Sequence, residues 1–141
     1  MRYTPFLALS ALTASALAIL LISCSGEKKE KPIYTELQLG EALFFEPMLS
    51  RDSSISCGSC HKPEFAFADN SPTSTGVYGR KGDRNTPSAM NMADRNHYFW
   101  DGRAETLEDQ ALGPIENPVE MDLPLSIAIK RLRDNARYNA A

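Results

Sequence analysis

The sequence has 141 residues, the length of one ordinary domain, and a formal net charge of −3. Lys and Arg total 15 against 18 Asp and Glu, so no basic excess favours a nucleic-acid partner. Hydrophobic residues make up 43% of the chain and aromatic residues 9%, which is sufficient for a folded core and excludes a wholly disordered protein.

Residues 1–23 have the features of an export signal. Arg2 supplies the positive start, and an apolar stretch rich in Ala and Leu runs from Phe6 to Ile22. Residues 21–24 (LISC) resemble the lipobox of bacterial lipoproteins, in which the cysteine, here Cys24, carries the lipid. The alternative is an uncleaved anchor, for which the segment is at the short limit. We expect a periplasmic or outer-membrane-associated lipoprotein, exported and attached to the membrane through its lipid.

Residues 24–34 contain the polar run SGEKKEKP, which predicts a flexible tether. The domain proper is expected over residues 35–141. Within it, residues 35–47 predict a helix that Pro47 ends. Its apolar stripe comprises Leu37, Leu39, Ala42, Leu43 and Phe44. Residues 64–91 show no period, and a loop of this length is typical of a segment that wraps a ligand.

Two further helices are predicted in the C-terminal part. Thr106 has the position of an N-cap, Asp109 that of its box partner, and Gly113-Pro114 is expected to end that helix. The second helix, in residues 123–138, is expected to present one apolar face with Leu125, Ile129 and Leu132. No segment alternates as a strand does, so the predicted class is all-α.

Cys57-Gly58-Ser59-Cys60-His61 has the form of a haem c attachment site. Two thiols two residues apart meet the two vinyl groups, and His61 then falls under the iron as the proximal ligand. A thioredoxin-like dithiol would need a βαβ context, and zinc would need four ligands; neither is visible. With Cys24 lipidated, no cysteine remains for a disulfide. We predict one covalent haem c.

The second axial position of the iron separates two functions. Met121, 60 residues after His61, and His97 are the candidate ligands, and Met48, Met90 and Met92 are weaker ones. A methionine ligand would close the site for electron transfer. If no side chain binds there, peroxide can.

Three stretches carry a resemblance to a known family. They are LGEALFFEPMLSRDSSISCGSCHKPEFAFAD, GRKGDRNTPSAMNMADRNHYFWDGRAETLEDQALGPIENPVEM and RLRDNARY. Together they resemble the N-terminal haem domain of bacterial di-haem cytochrome c peroxidases and of the related MauG, the methylamine-dehydrogenase-maturing enzyme. The resemblance covers residues 35–138. It implies a cytochrome c-like haem domain with long haem-wrapping loops.

The resemblance also implies roles for particular residues. His61 matches the proximal ligand of the family's peroxidatic haem. The distal pocket is matched by Gln110, Pro114 and Glu120, the tryptophan between the two haems by Trp100, and a calcium-holding side chain at the domain interface by Asn85.

The chemistry of these side chains agrees with such roles. A carboxylate over the iron can take a proton from one peroxide oxygen and return it to the other, which suits Glu120. Gln110 can orient the peroxide, Pro114 fills space without competing for the iron, and a buried Trp100 can pass electrons. The simpler interpretations are an exposed loop carboxylate, a solvated helix residue and a core aromatic.

Two departures from the family pattern matter. Many members carry a histidine 16 residues after the proximal one, and it blocks the resting haem; here that residue is Val77. This predicts a haem that needs no reductive unblocking, or a loop that behaves differently. The sequence stops at Ala141, near where the second haem domain would begin. We expect that domain and half of the calcium site to be absent, in a fragment or truncated form.

The predicted activity is the reduction of hydrogen peroxide to water with electrons from a small cytochrome c or cupredoxin. Calcium at the interface with the missing domain and a homodimer of the full-length protein fit the same resemblance. The alternatives are a mono-haem electron-transfer cytochrome, with Met121 or His97 as ligand, a MauG-like protein-oxidising enzyme, and a remnant without activity of its own.

Overall fold

The computed structural model describes residue 33 and residues 35–139, which belong to a unit spanning Pro32–Ala141. The predicted signal in residues 1–23, the lipid on Cys24 and, except for Ile33, the tether in residues 24–34 lie outside the described residues. None of the helices in the described ranges is long and apolar enough to cross a membrane.

Helices are the regular elements of the described chain. In order they are α1 (Glu36–Phe44), α2 (Cys57–Cys60), α3 (Leu107–Glu116), α4 (Leu125–Asp134) and α5 (Ala136–Asn139). Short 3₁₀ turns lie at Pro47–Leu49, Pro63–Phe65 and Val77–Gly79. Extended segments within residues 35–139 form isolated bridges but no strand. The all-α prediction is confirmed, as is the long, mostly irregular segment between α2 and α3.

Helix α1 begins where the sequence predicts, because the Thr35 hydroxyl accepts a hydrogen bond from the Gln38 N–H at 3.2 Å. It ends at Phe44, before Pro47, which opens a 3₁₀ turn instead. The predicted apolar stripe is wrong at Leu37, whose side chain is 83% exposed. Leu43, in the last turn of the helix, packs against the core, whereas the first turn extends beyond it.

Helix α3 has the predicted N-cap, since the Thr106 hydroxyl accepts from the backbone N–H three residues on at 3.1 Å. The predicted end at Gly113-Pro114 is wrong, because the helix continues to Glu116. A proline this close to the C-terminus removes only its own N–H, and the next bonds still form, as from Asn117 N to Gly113 O at 3.0 Å.

Helix α4 lies within the predicted residues 123–138, but the single helix predicted there is interrupted at Asn135, and the buried face of α4 is rotated. Ile129 is exposed, which corrects the prediction, and Ala128 is buried in its place. The cause is the contact with the Pro47–Leu49 turn. There the Arg131 guanidinium donates to three main-chain carbonyls, those of Met48 at 2.7 Å, Ser50 at 2.6 Å and Arg51 at 3.0 Å.

The hydrophobic core is small. Its centre is formed by Leu49, Met121, Leu123 and Ala128, with Leu43, Ile115 and Leu132 packed against it. Among the described residues, nine apolar side chains are buried and eleven large ones are exposed. Domains of this length ordinarily bury most of the apolar surface that their unfolded chain exposes. Side chains alone therefore leave this core incomplete, as expected where a large apolar cofactor belongs.

Candidate haem-binding site

Helix α2 presents the two thiols of the Cys-x-x-Cys motif. Cys57 and Cys60 are three positions apart on one helical turn, so they project from the same face. The turn is fixed by Ser59, whose hydroxyl accepts from the Ser56 N–H at 3.0 Å. Both cysteines are partly exposed free thiols. A ligand approaching this face can therefore reach both sulfur atoms.

The pKa values of both thiols are raised, in part by a carboxylate distant in the sequence. Burial raises the pKa of Cys57 and of Cys60, and the charge of Glu120 adds to the increase at both residues. At Cys60 the Ser74 hydroxyl acts in the opposite direction. Because one carboxylate acts on both thiols, Glu120 lies within electrostatic range of the motif although it is 60 residues further along the chain.

His61 is prepared as a metal ligand by its backbone surroundings. Its Nδ1 lies 3.0 Å from the carbonyl oxygen of Phe67. A carbonyl can only accept, so Nδ1 carries the hydrogen and Nε2 keeps the lone pair that binds iron. The carbonyl is placed by two consecutive left-handed residues, Ala66 with φ 55° and Phe67 with φ 57°.

These donors fit a covalently attached haem c. The motif supplies two thiols on one face and an imidazole with an available Nε2, and the small core leaves apolar surface to cover the porphyrin. The described residues do not offer a comparable set of ligands to a bare metal ion. Within residues 33 and 35–139, no group of three or more His, Cys, Asp or Glu side chains is arranged to hold one.

Asp69 supports the motif from the side and was not singled out in the sequence. Its side chain is 5% exposed and accepts from Lys62 Nζ at 2.7 Å. The Ser74 hydroxyl donates to it at 2.5 Å, and the Ser71 N–H at 3.3 Å. These bonds lower the pKa of Asp69 to about 2, with the Lys62 bond the largest contribution. Asp69 thus links Lys62, the residue after His61, to Ser74 in the loop beside Cys60.

The lowered pKa of Asp69 predicts how folding stability depends on pH. Asp69 is ionised in the fold down to about pH 2, against an ordinary carboxyl value of 3.8. Its contribution is therefore complete above about pH 4 and is lost as the pH falls towards 2. We expect Asp69→Asn to unfold more readily at neutral pH and to lose less stability between pH 4 and 2 than the wild type. The measurement is the unfolding free energy against pH.

Asp94→Asn is the control, since Asp94 is an exposed carboxylate of the same loop region. It should follow the wild-type curve of stability against pH. Parallel curves for the wild type and Asp69→Asn would contradict the assignment.

Glu120 lies in the turn that follows α3. Burial raises its pKa, while the hydrogen bond from Asn117 and the charge of Arg103 act in the opposite direction. The Asn117 amide donates to Glu120 Oε1 at 2.7 Å. Of the two interpretations given above, an exposed carboxylate is excluded. Glu120 is partly buried, hydrogen-bonded and near the haem-binding motif.

The loop of residues 76–80 packs directly against this turn. The Val77 side chain is fully buried, and its N–H donates to the Glu120 carbonyl at 2.8 Å. Arg80 reaches over the loop to the Pro118 carbonyl at 2.6 Å. Gly76 permits this contact, since a Cβ there would lie 2.1 Å from the Val119 carbonyl oxygen. The residue at the family's distal-histidine position is thus part of the packing around Glu120.

The remaining distal candidates lie on α3. Gln110 and Pro114 are both partly buried and four positions apart, so they share one face of the helix. The helix leads directly into the Glu120 turn through Asn117. Gln110, Pro114 and Glu120 therefore belong to one continuous helix-and-turn unit.

Trp100 lies on the surface with 64% exposure, which excludes the simpler interpretation of a core aromatic. Its indole N–H donates to the main-chain carbonyl of Asn85 at 2.8 Å, and this bond holds the ring on a surface loop rather than in the core. The Asn85 amide in turn donates to the Ser71 and Pro72 carbonyls at 3.2 and 3.3 Å. The structure brings together two residues that sequence resemblance assigns to a domain interface.

The two candidate sixth ligands occupy different environments. Met121 is 2% exposed and packs in the core with Leu49 and Leu123. His97 is exposed, in the irregular segment before Tyr98. The position of Met121 is explained by core packing.

Comparisons with known proteins agree with this geometry. The family model of the di-haem cytochrome c peroxidases matches residues 34–141. Cytochrome c551 peroxidase of Pseudomonas aeruginosa is 50% identical over 84 residues, covering 60% of this chain and 24% of the relative. MauG of Methylorubrum extorquens is 40% identical over 106 residues, covering 74% of this chain and 30% of the relative.

A solved structure gives the same result for the fold. The diheme peroxidase BthA from Burkholderia thailandensis superposes with a TM-score of 0.68 at 31% identity, covering 78% of this chain and 32% of that one. The chain thus spans between a quarter and a third of the length of these relatives. The matched family model and the haem-binding motif at its expected place show that this chain belongs to the di-haem cytochrome c peroxidase family.

Proposed function

We propose that this chain is the peroxide-reducing haem domain of a di-haem cytochrome c peroxidase. Hydrogen peroxide takes up two electrons and two protons, its O–O bond breaks, and two water molecules form. The electrons come one at a time from a small cytochrome c or cupredoxin. The observation that carries the proposal is the partly buried Glu120 carboxylate, which the Asn117 amide holds at 2.7 Å and which acts electrostatically on Cys57 and Cys60.

One haem c is held by this chain. Cys57 and Cys60 would form the thioether bonds, and His61 would bind the iron through Nε2. When bound, the haem would supply redox chemistry at its iron. The hydrogen bond from His61 Nδ1 to Phe67 O, at 3.0 Å, keeps the imidazole in the required tautomer and orientation.

The proton is moved by Glu120. General acid–base catalysis is most effective when the pKa of the group lies near the working pH, and burial raises the pKa of Glu120 in that direction. The carboxylate accepts a proton from one peroxide oxygen and returns it to the departing oxygen. Gln110 orients the peroxide through its amide, and Pro114 occupies neighbouring volume without offering the iron a ligand.

The distal face stays open without prior reduction. Valine offers no donor atom to iron, and Val77 is buried with its N–H bonded to the Glu120 carbonyl at 2.8 Å. Moving it would break the contact between residues 76–80 and the Glu120 turn. This supports a resting site that peroxide can enter directly.

Electrons reach the site through the surface around Trp100. An exposed indole bonded to the Asn85 carbonyl at 2.8 Å fits a surface that a second haem domain covers. In that assembly Trp100 passes electrons between domains, and Asn85 contributes to a calcium site shared with the second domain. A homodimer of the full-length protein belongs to the same proposal.

Export completes the proposal. Haem c is attached outside the cytoplasm, and residues 1–24 have the sequence features of a lipoprotein signal. The domain is placed in the periplasm or at the outer membrane, attached by lipid on Cys24 through the tether of residues 24–34.

A MauG-like protein-oxidising enzyme is the second candidate. It is favoured by the 40% identity to MauG of Methylorubrum extorquens and by the absence of histidine at Val77. A mono-haem electron-transfer cytochrome is less well supported, because Met121 is already packed in the core.

An absorption spectrum of the haem-loaded protein tests the proposal. We expect a high-spin ferric haem that changes within seconds of adding hydrogen peroxide, because Val77 offers the iron no donor atom and Met121 is packed in the core. A low-spin spectrum with a methionine–iron band, unchanged by peroxide, contradicts the peroxidase and supports the electron-transfer cytochrome. Oxidation of an added protein in place of a small redox donor would favour the MauG-like activity.

A further inference from the structure

Asn117 is the centre of the turn that carries Glu120. It ends α3, and its carbonyl accepts from the Glu120 N–H at 3.0 Å and from the Asp122 N–H at 2.9 Å. Both the oxygen and the nitrogen of its side-chain amide form hydrogen bonds. The amide oxygen accepts from the Val119 N–H at 3.1 Å, and the amide nitrogen donates to Glu120 Oε1 at 2.7 Å.

These partners fix the orientation of the amide. The Val119 N–H can only donate, so it must face the amide oxygen of Asn117. The amide nitrogen then points to the Glu120 carboxylate, which accepts. An amide with both ends assigned cannot flip without losing two bonds. The turn therefore fixes one rotamer of Asn117, and Asn117 fixes one position of Glu120 Oε1.

A second asparagine performs the same structural task without a carboxylate. Asn135 ends α4, its carbonyl accepts from the N–H groups of Tyr138 at 3.1 Å and Asn139 at 3.0 Å, and its amide oxygen accepts from the Arg137 N–H at 2.9 Å. Tyr138 lies three positions after Asn135, the position that corresponds to Glu120 after Asn117. Capping a helix therefore explains the main-chain bonds of Asn117 but not its bond to Glu120.

We propose that Asn117 is a positioning residue, which holds Glu120 Oε1 so that Oε2 is directed to the peroxide. This rests on the proposed role of Glu120 as the proton carrier. A partly buried carboxylate without this bond could adopt several rotamers, only some of which reach the peroxide. Misplacing a reacting group by about 1 Å can cost about 10²-fold in rate.

The test measures the second-order rate constant with which the ferric, haem-loaded protein reacts with hydrogen peroxide. Asn117→Ala is expected to slow this reaction by about 10- to 100-fold. Asn117→Asp keeps the oxygen that accepts from Val119 but loses the donor to Glu120, so it should slow the reaction with the turn retained. Asn135→Ala should react at the wild-type rate, within about 2-fold.

A double variant separates positioning from general damage to the site. In a Glu120→Gln background the carboxylate is gone, so adding Asn117→Ala should slow the reaction by no more than about 2-fold. A further large loss in the double variant would show a structural effect and overturn the proposal. Wild-type rates in both Asn117→Ala and Asn117→Asp would also overturn it.

Carbon monoxide gives a readout that does not depend on activity. Its stretching frequency, in the ferrous complex, responds to polar groups on the distal side of the haem. We expect one narrow band in the wild type and in Asn135→Ala, and a broadened or split band in Asn117→Ala, where Glu120 adopts several rotamers. An unchanged band in Asn117→Ala overturns the proposal. If Glu120→Gln reacts with peroxide at the wild-type rate, the proposed catalytic function fails, and this band still decides whether Asn117 holds Glu120.

Discussion

Glu120→Gln is expected to slow the reaction of the haem-loaded protein with hydrogen peroxide by about 10²–10⁴-fold, the range typical of a lost general acid–base. Glutamine has nearly the same shape and can still hydrogen-bond, but it cannot take up a proton and return it. The residue is partly buried, which restricts water from taking over its proton transfer. The rate is measured by rapid mixing of the ferric protein with excess peroxide.

Glu105→Gln is the matched control. Glu105 is an exposed carboxylate just before α3, and its substitution makes the same change in net charge. It should leave the rate unchanged, which separates proton transfer from a general electrostatic effect. Equal rates in the wild type and Glu120→Gln would remove Glu120 from the mechanism, and equal slowing in both variants would assign the effect to net charge.

Gly76→Ala is expected to destabilise the folded protein by about 1–3 kcal/mol, the cost of overpacking a close contact. A Cβ at this position would lie 2.1 Å from the Val119 carbonyl oxygen and 2.6 Å from the Glu120 carbonyl oxygen. Both are main-chain atoms, so the clash can be relieved only by moving the Glu120 turn. The peroxide reaction should slow as well. Denaturant unfolding and the same rate measurement test both effects.

Gly40→Ala is a control with the opposite sign. Gly40 lies inside α1, and a Cβ there would have no neighbour within 4 Å. Alanine should stabilise the helix by about 0.5–1 kcal/mol. If both glycine variants stabilise the protein, the close approach of residues 76–80 to the Glu120 turn is contradicted.

The sequence predicts well those parts of the structure that depend on local signals. Thr35 and Thr106 begin helices because a hydroxyl one position before the helix meets its unpaired N–H groups. The Cys57–Cys60 turn follows from the motif itself. The all-α class follows from helical spacing without alternation.

Predictions that depend on neighbours in space were less successful. The continuation of α3 through Pro114 depends on bonds beyond the proline, and the exposure of Ile129 depends on which turn α4 contacts. Trp100 is exposed because its N–H meets a loop carbonyl 15 residues earlier in the chain. Helical spacing and residue type carry no information about such contacts.

The candidate site shows the same division. Residues with distinctive chemistry, such as His61 and Glu120, can be identified from motif and resemblance. Asp69 and Asn117 cannot, because their roles lie in side-chain hydrogen bonds that only the folded structure reveals. An Asn-Pro pair signals only that a turn is present at Asn117.

The hydrogen bond between His61 and the Phe67 carbonyl has a consequence for tuning the iron. A stronger acceptor at Nδ1 makes an imidazole a stronger electron donor and lowers the reduction potential of the metal it binds. Here the acceptor is a main-chain carbonyl and not a side chain. The strength of this bond therefore depends on the left-handed backbone at Ala66 and Phe67 that places the carbonyl. Evolution or engineering could adjust the electron affinity of the haem by reshaping this short loop.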